Sequence, residues 1–365
     1  MFIRVQRAFV GLFATIVLCL MPGLPARSED AAVVLPLLGS PEDAVYCETA
    51  LAAITGARTS IEVLLSSVSQ DENPLLPALA DAADRGVTVR ALLDASDWEP
   101  QITARNDPAR AYLLAHGVDA RFDDPSVTLH AKLLVVDRES VLLGSSNWNR
   151  YALTDHWQAD VWVRDPQIGE FYADYFDTLW SGTLIDCRVE LETATAFDGN
   201  GTILPLADVP ESASYARVLL DLLDSAQRSI HVSMYRMSTY PGYADSLSNA
   251  ISEALIDAAS RGLEVQVLLD DCAYYADSAS ANLWSAFVLR ERGVDVRLDA
   301  PEETTHAKLV IVDGCGVLLG STNWNYYALE QNVETNVAFL NLPSVAAPFE
   351  AYFRGLWESG RDVAL

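Results

Sequence analysis

The sequence predicts an α/β protein in which one unit is written twice, giving two tandem α/β/α units with mixed sheets covered by helices. Two observations carry this. The segment Ala83-Asp84-Arg85-Gly86-Val87-Thr88-Val89-Arg90-Ala91-Leu92-Leu93-Asp94 recurs 176 residues later as Ala259-Ser260-Arg261-Gly262-Leu263-Glu264-Val265-Gln266-Val267-Leu268-Leu269-Asp270. Self-similarity at a fixed offset marks a duplicated fold. Short apolar runs also alternate with amphipathic stretches, as strands alternate with covering helices.

In the first copy, residues 61–65 read as an apolar strand and 75–84 as an amphipathic helix that stops before Gly86. Residues 87–93 are a buried strand, and 109–116 a helix ended by Gly117. Strands 132–136 and 141–143 form a hairpin around 137–140, and a helix from about 170 to 180 closes the unit. Upstream, Ser60-Ile61 matches Ser229-Ile230 at an offset of 169, so the second copy has seven extra residues between its first strand and first helix. The stretch 235–247, rich in Tyr, Ser and Gly, is expected to hold them as a loop. The copies span 44–186 and 212–362. The bridge 187–211, with an Asp-Gly-Asn-Gly turn and two prolines, is expected to be a linker.

Composition narrows the function. Half of the 365 residues are apolar and 21% are charged, as in a globular chain. The formal net charge is −27, or −29 without Arg4 and Arg7 of an expected leader. Such a field repels polyanions, and there is no basic run of the kind nucleic-acid binding rests on. Arg4 and Arg7 precede a thirteen-residue apolar stretch, 9–21, and a small residue at Ala26. That is the pattern of an export signal, residues 1–26, too short to span a membrane; an uncleaved anchor is the alternative. In an exported protein Cys47, Cys187, Cys272 and Cys315 suggest disulfides, one within each half being the simplest pairing and buried thiols the alternative.

Lysine occurs at two positions only, Lys132 and Lys308, each two residues after a histidine. His130-Ala131-Lys132 runs into Asp137 and then Gly144-Ser145-Ser146-Asn147-Trp148; His306-Ala307-Lys308 runs into Asp313 and then Gly320-Ser321-Thr322-Asn323-Trp324. On a strand, residues i and i+2 share a face, so each copy presents an imidazole and an ammonium side by side. Two such pairs converging at a pseudo-two-fold interface suit one anion. With a phosphodiester as that anion, one imidazole can attack phosphorus, the other can protonate the leaving oxygen, and the lysines with Asn147 and Asn323 can hold the non-bridging oxygens.

At these residues the chain resembles the phospholipase D superfamily, whose mark is His-x-Lys, four residues, Asp, six residues, then Gly-Ser and Asn. Both copies carry it in full, as His130, Lys132, Asp137, Gly144, Ser145, Asn147 and as His306, Lys308, Asp313, Gly320, Ser321, Asn323. The resemblance covers roughly 44 to 360. It implies one shared active site, phosphodiester cleavage through a covalent phosphohistidine, and no cofactor or metal. In the family a downstream carboxylate or amide orients each histidine. Glu334 lies 28 residues past His306 and Gln158 lies 28 past His130. The expectation is therefore that Glu334 raises the pKa of His306, the general acid, while His130 beside Gln158 is the nucleophile. Asp155 and Asp160 are alternative partners for His130.

Asp137 and Asp313 end their strands at a tight turn and read as structural, with the glycines and serines of the motif. His116 and His231 also read as structural, and His156, aligned with Asn332, as a surface group or a neighbour of the site. Substrate contacts are expected from Tyr235, Arg236, Tyr240 and Tyr243 of the inserted loop. Asp94 and Asp270 are further candidates at strand ends. Trp148 and Trp324 are candidates for stacking, with packing beneath the turn the plainer role. The favoured reading is an exported, monomeric phosphodiesterase acting on a phospholipid headgroup, with transient contact to a membrane surface. A secreted endonuclease of the same superfamily is the alternative, and an inactive binding module a remote one.

Overall fold

The computed structural model describes residues 32–41, 43–182, 195–197, 201–243 and 245–363. The expected leader and Cys187 lie outside the described residues. The first half comprises β1 (Val33–Gly39), α1 (Val45–Gly56), β2 (Ser60–Leu65), α2 (Leu75–Asp84), β3 (Thr88–Leu93), α3 (Pro100–Ala115) and β4 (Asp119–Phe122). The motif hairpin β5 (Lys132–Val136) and β6 (Ser140–Gly144), then α4 (Arg150–Thr154), β7 (Gln158–Arg164) and α5 (Pro166–Trp180), complete it. The second half opens with β8 (Thr195–Phe197), β9 (Gly201–Asp208), α6 (Ser214–Ser225), β10 (Ser229–Met234), α7 (Leu247–Ser260) and β11 (Glu264–Leu269). It continues with α8 (Ala276–Glu291), β12 (Asp295–Leu298), β13 (Lys308–Val312), β14 (Gly316–Gly320), α9 (Tyr326–Glu330), β15 (Glu334–Leu340), α10 (Pro343–Ser359) and β16 (Arg361–Asp362).

The two sheets share one order of strands, β1-β7-β6-β5-β2-β3-β4 and β9-β15-β14-β13-β10-β11-β12, with β8 and β16 added at the edges of the second. β2, β3 and β4 run parallel, joined by helical crossovers, while β5, β6, β7 and β1 are antiparallel. Mixed sheets covered by helices are what the alternating pattern predicts. The tight hairpin is set by Asp137, whose backbone is left-handed (φ 55°). Its carboxylate accepts from the amides of Arg58, Thr59 and Ser60. Asp313 repeats this on Gln227, Arg228 and Ser229. Both aspartates thus fasten the turn that leads into the strand paired with the motif strand, β2 on β5 and β10 on β13, at the end of the hairpin away from the histidines.

Four departures from the sequence reading have physical causes. α3 starts at Pro100, nine residues before the expected 109, because its first half buries only Asn106 and shows no apolar stripe. Pro108 inside it imitates a boundary. α5 starts at Pro166 because Asp165 caps it, accepting from Gln167 and Ile168 amides at 2.9 and 3.1 Å. Residues 201–208, read as linker, form β9, paired with β15 from Thr202↔Leu340 to Asp208↔Glu334. Its partner in the first half, β1, was equally unmarked, each being a short run interrupted by proline (Pro36, Pro205). Finally, Cys272 and Cys315 are free thiols, as is Cys47. Met234 pairs with both Leu269 and Lys308, so Cys272 follows β11 at the lysine end, whereas Cys315 sits in the turn beyond Val312. Four strand steps, about 13 Å, separate those levels, and a disulfide tolerates about 7 Å between Cα atoms.

Both halves belong to one compact unit, 32–365. One apolar core holds Leu133, Val135, Val141 and Leu143 together with Leu309, Ile311, Val317 and Leu319. The closing helices cross over: α5 packs on β9, and α10 on β1. Tyr175 donates to the carbonyl of Asp208 at 2.7 Å, and Tyr172 to that of Asn336. Among the described residues no helix is long and apolar enough to cross a membrane.

Candidate active site

The two halves meet through reciprocal backbone bridges, Leu129↔Val333 and Thr305↔Trp157, related by the 176-residue offset. His130 N–H donates to the Val333 carbonyl at 2.9 Å, and His306 N–H to that of Trp157 at 2.8 Å. This symmetry, each patch contacting its own copy, brings the two histidines to one place. It also decides their partners. Glu334 follows Val333, so its carboxylate reaches His130 of the other half: Nδ1 to Oε2 is 2.9 Å. His306 Nδ1 lies 3.0 Å from the Ser145 carbonyl and 3.2 Å from Gln158 Oε1.

The expected pairing is thus reversed. Glu334 backs His130, and Gln158 backs His306, because each orienting residue serves the histidine across the pseudo-two-fold axis. Asp160 does not reach His130 either; it accepts from Ser146 N–H at 2.9 Å and from the Ser146 hydroxyl at 2.6 Å. Its counterpart Asn336 holds Thr322, accepting from its N–H at 3.3 Å and donating from Nδ2 to its hydroxyl at 2.9 Å. A side chain at Gly144 or Gly320 would collide with these residues, which explains both glycines of the motif.

Glu334, wholly buried, takes protons from His130, the Ser321 hydroxyl and Asn332 Nδ2, the last at 3.0 Å. Burial pushes its pKa up, but His130, Lys132 and Ser321 together hold it below the usual value. Gln158 Oε1 accepts from the Ser145 hydroxyl at 2.7 Å, and Nε2 donates to the Ala152 carbonyl at 3.3 Å. The motif serines therefore fix the orienting residues. Because each Nδ1 faces oxygens that accept, it carries the hydrogen, and Nε2 of each ring is the reacting atom.

The lysines are buried, each 1% exposed. Lys308 Nζ donates to the His306 carbonyl at 2.6 Å, and Lys132 Nζ to that of His130. Burial pushes Lys132 down to about 8 and Lys308 well below the lysine range, the two also repelling each other. Burial likewise lowers both histidines, His306 well below the usual value, with Lys308 next in effect. Glu334 partly restores His130. The site is thus short of an anion. Asn147 Oδ1 and Asn323 Oδ1 are buried without a partner.

Asp94 and Asp270 do not line the site. Both are fully buried, and each accepts at 2.8 Å from the amide before a histidine, Leu129 N and Thr305 N. They are positioning residues for the motif strands. Burial raises Asp94 to about 7 and Asp270 to about 8. An aspartate ordinarily at 3.8 but at about 7 in the fold costs stability increasingly as pH rises between those values. Asp94→Asn keeps the acceptor for Leu129 without that cost. Its melting temperature should gain on the wild type between pH 4 and 7 and hold the gap above, as thermal melts across pH will read.

Trp148 and Trp324 are buried beneath the motif turns, and each indole N–H is tied to a tyrosine hydroxyl, Tyr46 at 2.8 Å and Tyr215 at 2.9 Å. That removes them from substrate contact. Tyr235 does stand at the site, its ring 4.5 Å from that of His306 and 4.7 Å from Lys308 Nζ. Arg236 is half-buried behind it, its carbonyl bound to Trp324 N–H at 2.8 Å. Tyr240 bonds to the Tyr326 amide at 3.2 Å, and Tyr243 is 70% exposed. His116 leans on the Tyr112 carbonyl at 2.8 Å, and His231 pairs with Glu350 at 2.8 Å.

His156 and Tyr275 complete a wall on one side only. The His156 ring is 5.9 Å from His306 and 6.5 Å from Tyr275, which is 6.0 Å from Tyr235. Burial drops His156 to about 4, and its Nδ1 has no partner. The repeat equivalents of Tyr235, Tyr275 and His156 are Ser66, Glu99 and Asn332. The aromatic rings grouped beside His306 thus have polar residues as their equivalents in the repeat. Tyr275 was not legible as a site residue, since no motif surrounds it. From it a cleft of about 770 Å3, bordered by Ser69, Arg105 and Asn149, opens outward.

A family model described as "Cardiolipin synthase, PLD-like domain" matches residues 50–180 and 219–357, one match in each half. The chain belongs to the phospholipase D superfamily. Relatives within the superfamily include a mitochondrial cardiolipin hydrolase of Xenopus laevis, 30% identical over 146 residues, 40% of this chain and 62% of that one. Phospholipase D Z of Dictyostelium discoideum is 28% identical over 193 residues, 47% of this chain and 44% of that one. The chain spans about half the length of the curated relatives it matches. The phosphatidylserine synthase of Haemophilus influenzae Rd KW20 superposes with a TM-score of 0.69 at 14% identity, over 92% of this chain and 89% of that structure, a likeness of fold.

Proposed function

We propose that this member of the phospholipase D superfamily is an exported phosphodiesterase that releases the headgroup of a phospholipid through a covalent phosphohistidine. The observation that carries the reading is the convergence of His306, Lys132 and Lys308, all buried, with the half-buried His130, and with one carboxylate behind one imidazole. A phosphodiester anion meets the shortage of negative charge among the lysines and supplies the acceptors their ammonium groups lack. The two relatives named above are a cardiolipin hydrolase and a phospholipase D, which favours a lipid.

His130 acts as the nucleophile. Its Nε2 lone pair forms the bond to phosphorus while the bond to the leaving oxygen breaks, and that oxygen takes the proton from Nε2 of His306, which becomes an imidazolium when the bound phosphodiester anion offsets the lysine charges that lower its pKa. Attack turns His130 into a cation, and Glu334 at 2.9 Å stabilises that charge. A charge-assisted hydrogen bond of this kind is worth about 1.5–3 kcal/mol. His306, backed only by a carbonyl and an amide, gives up its proton more readily. In the second step His306 takes a proton from water, the water oxygen bonds to phosphorus, and the electrons of the P–N bond return to His130. The assignment matches the one expected from sequence, but for the opposite reason. In-line displacement places the leaving group opposite His130, so the headgroup lies against Tyr235, Tyr275 and His156. Aromatic faces of this kind suit a choline-type cation.

The test is to incubate the full chain with phosphatidylcholine vesicles and, separately, with plasmid DNA across a salt series. Choline release is expected, with intact plasmid. Nicked plasmid without choline release would replace the lipid by nucleic acid.

A further inference from the structure

Resting on the reading of a phospholipid substrate, we propose that a rim of tyrosine and tryptophan side chains around the mouth of the site seats the protein on a zwitterionic bilayer surface. β3, β6, β11 and β14 all end at the level of the two lysines. The segments that follow them carry Trp98, Tyr151, Tyr274, Tyr326 and Tyr327, and the inserted loop after β10 adds Tyr243. Their exposures are 60%, 61%, 84%, 42%, 67% and 70%. Among the described residues the other exposed aromatic rings are Trp284 and Phe287 on α8, so the turns at the opposite end of the sheets carry none.

Trp98 and Tyr274 are repeat equivalents, and so are Tyr151 and Tyr327, each pair 176 residues apart. Symmetry therefore sets the members of a pair at one height on either side of the histidines. Rings level around a central opening suit a flat surface. Their chemistry suits the headgroup layer: tyrosine and tryptophan combine an apolar ring with a polar tip, and gather where bilayer meets water. Among the described residues of 94–99, 145–157, 235–246, 270–275 and 321–333, no valine, leucine, isoleucine or methionine is exposed beside them.

Charge selects the kind of surface. Asp97, Glu99 and Asp155 are exposed in the same segments, and Asp71, Glu72, Glu302 and Glu303 in the loops after β2 and β12 at the same end of the sheets, against Arg105 and Arg150, on a chain of net charge −27. Such a face is repelled by anionic lipids and by phosphate backbones. A protein seated on the rim would close the opening at its centre, whereas a bilayer presents the substrate there.

The experiment compares wild type with Trp98→Ser/Tyr151→Ser/Tyr327→Ser in cosedimentation with phosphatidylcholine vesicles, with vesicles containing phosphatidylglycerol, and with oligo-dT. Turnover of vesicles and of a monomeric short-chain phosphatidylcholine is measured in parallel. Expected are wild-type binding to the zwitterionic vesicles, weaker binding when phosphatidylglycerol is added, and a loss of about thirtyfold in the triple variant. Turnover of the short-chain substrate should be unchanged, so that vesicle turnover alone falls. Vesicle binding equal in the two proteins, binding that requires the anionic lipid, or oligo-dT binding lost in the variant would each overturn the proposal. Rim-dependent vesicle binding without hydrolysis of either lipid would instead uphold the rim and remove the phospholipid reading beneath it.

Discussion

His130→Asn should lower kcat by about four orders of magnitude or more with the fold intact, because it removes the nitrogen that bonds to phosphorus. His306→Asn should cost as much on an alkyl headgroup, but the two variants part when the leaving group needs no proton. On phosphatidyl-p-nitrophenol, the His306 variant should release one nitrophenol per enzyme in a burst and then stall as the covalent adduct, lacking a base for water. The His130 variant should give no burst. A burst from the His130 variant alone would exchange the two roles.

Lys308→Met should separate activity from stability. Lys308 is buried beside Lys132 and Tyr235, so methionine of similar length removes one of the charges that hold a non-bridging oxygen. A loss of about 10²–10³ in kcat/KM follows. The folded protein should gain stability nonetheless. The pKa of Lys308 lies well below 10.5, which means that burial and Lys132 outweigh the attraction of Glu334, Asp270 and Asp160. A lysine lowered in the fold costs stability wherever the unfolded chain would hold the proton more tightly. The gain in melting temperature should therefore be largest below the folded pKa and vanish as pH approaches 10.5. Calorimetry across pH, beside kinetics, reads both effects.

Much of this was legible in the sequence because the duplication prints each motif twice. The pairs His130/His306 and Lys132/Lys308, the alternating sheet strands and the insertion before α7 all follow from spacing. What spacing does not encode is which half a side chain serves. Glu334 and His306 are 28 residues apart in the chain, yet the backbone bridge Leu129↔Val333 delivers Glu334 to His130. The edge strands β1 and β9 were missed because a run broken by Pro36 or Pro205 loses its strand signature. Asp94 and Asp270 stand at strand ends where ligands commonly bind, but their carboxylates turn back to amides preceding the histidines. The wall of Tyr235, His156 and Tyr275 breaks the repeat, so comparing the two copies pointed away from it.

The central claim is that His130 carries the phosphorus, stabilised by Glu334 from the other half. It is tested most directly by quenching the wild-type enzyme during turnover of short-chain phosphatidylcholine and mapping the acid-labile adduct by peptide mass spectrometry. A phosphatidyl group on the peptide containing His130, diminished in Glu334→Gln, is the predicted result. The same group on the peptide containing His306 would contradict it.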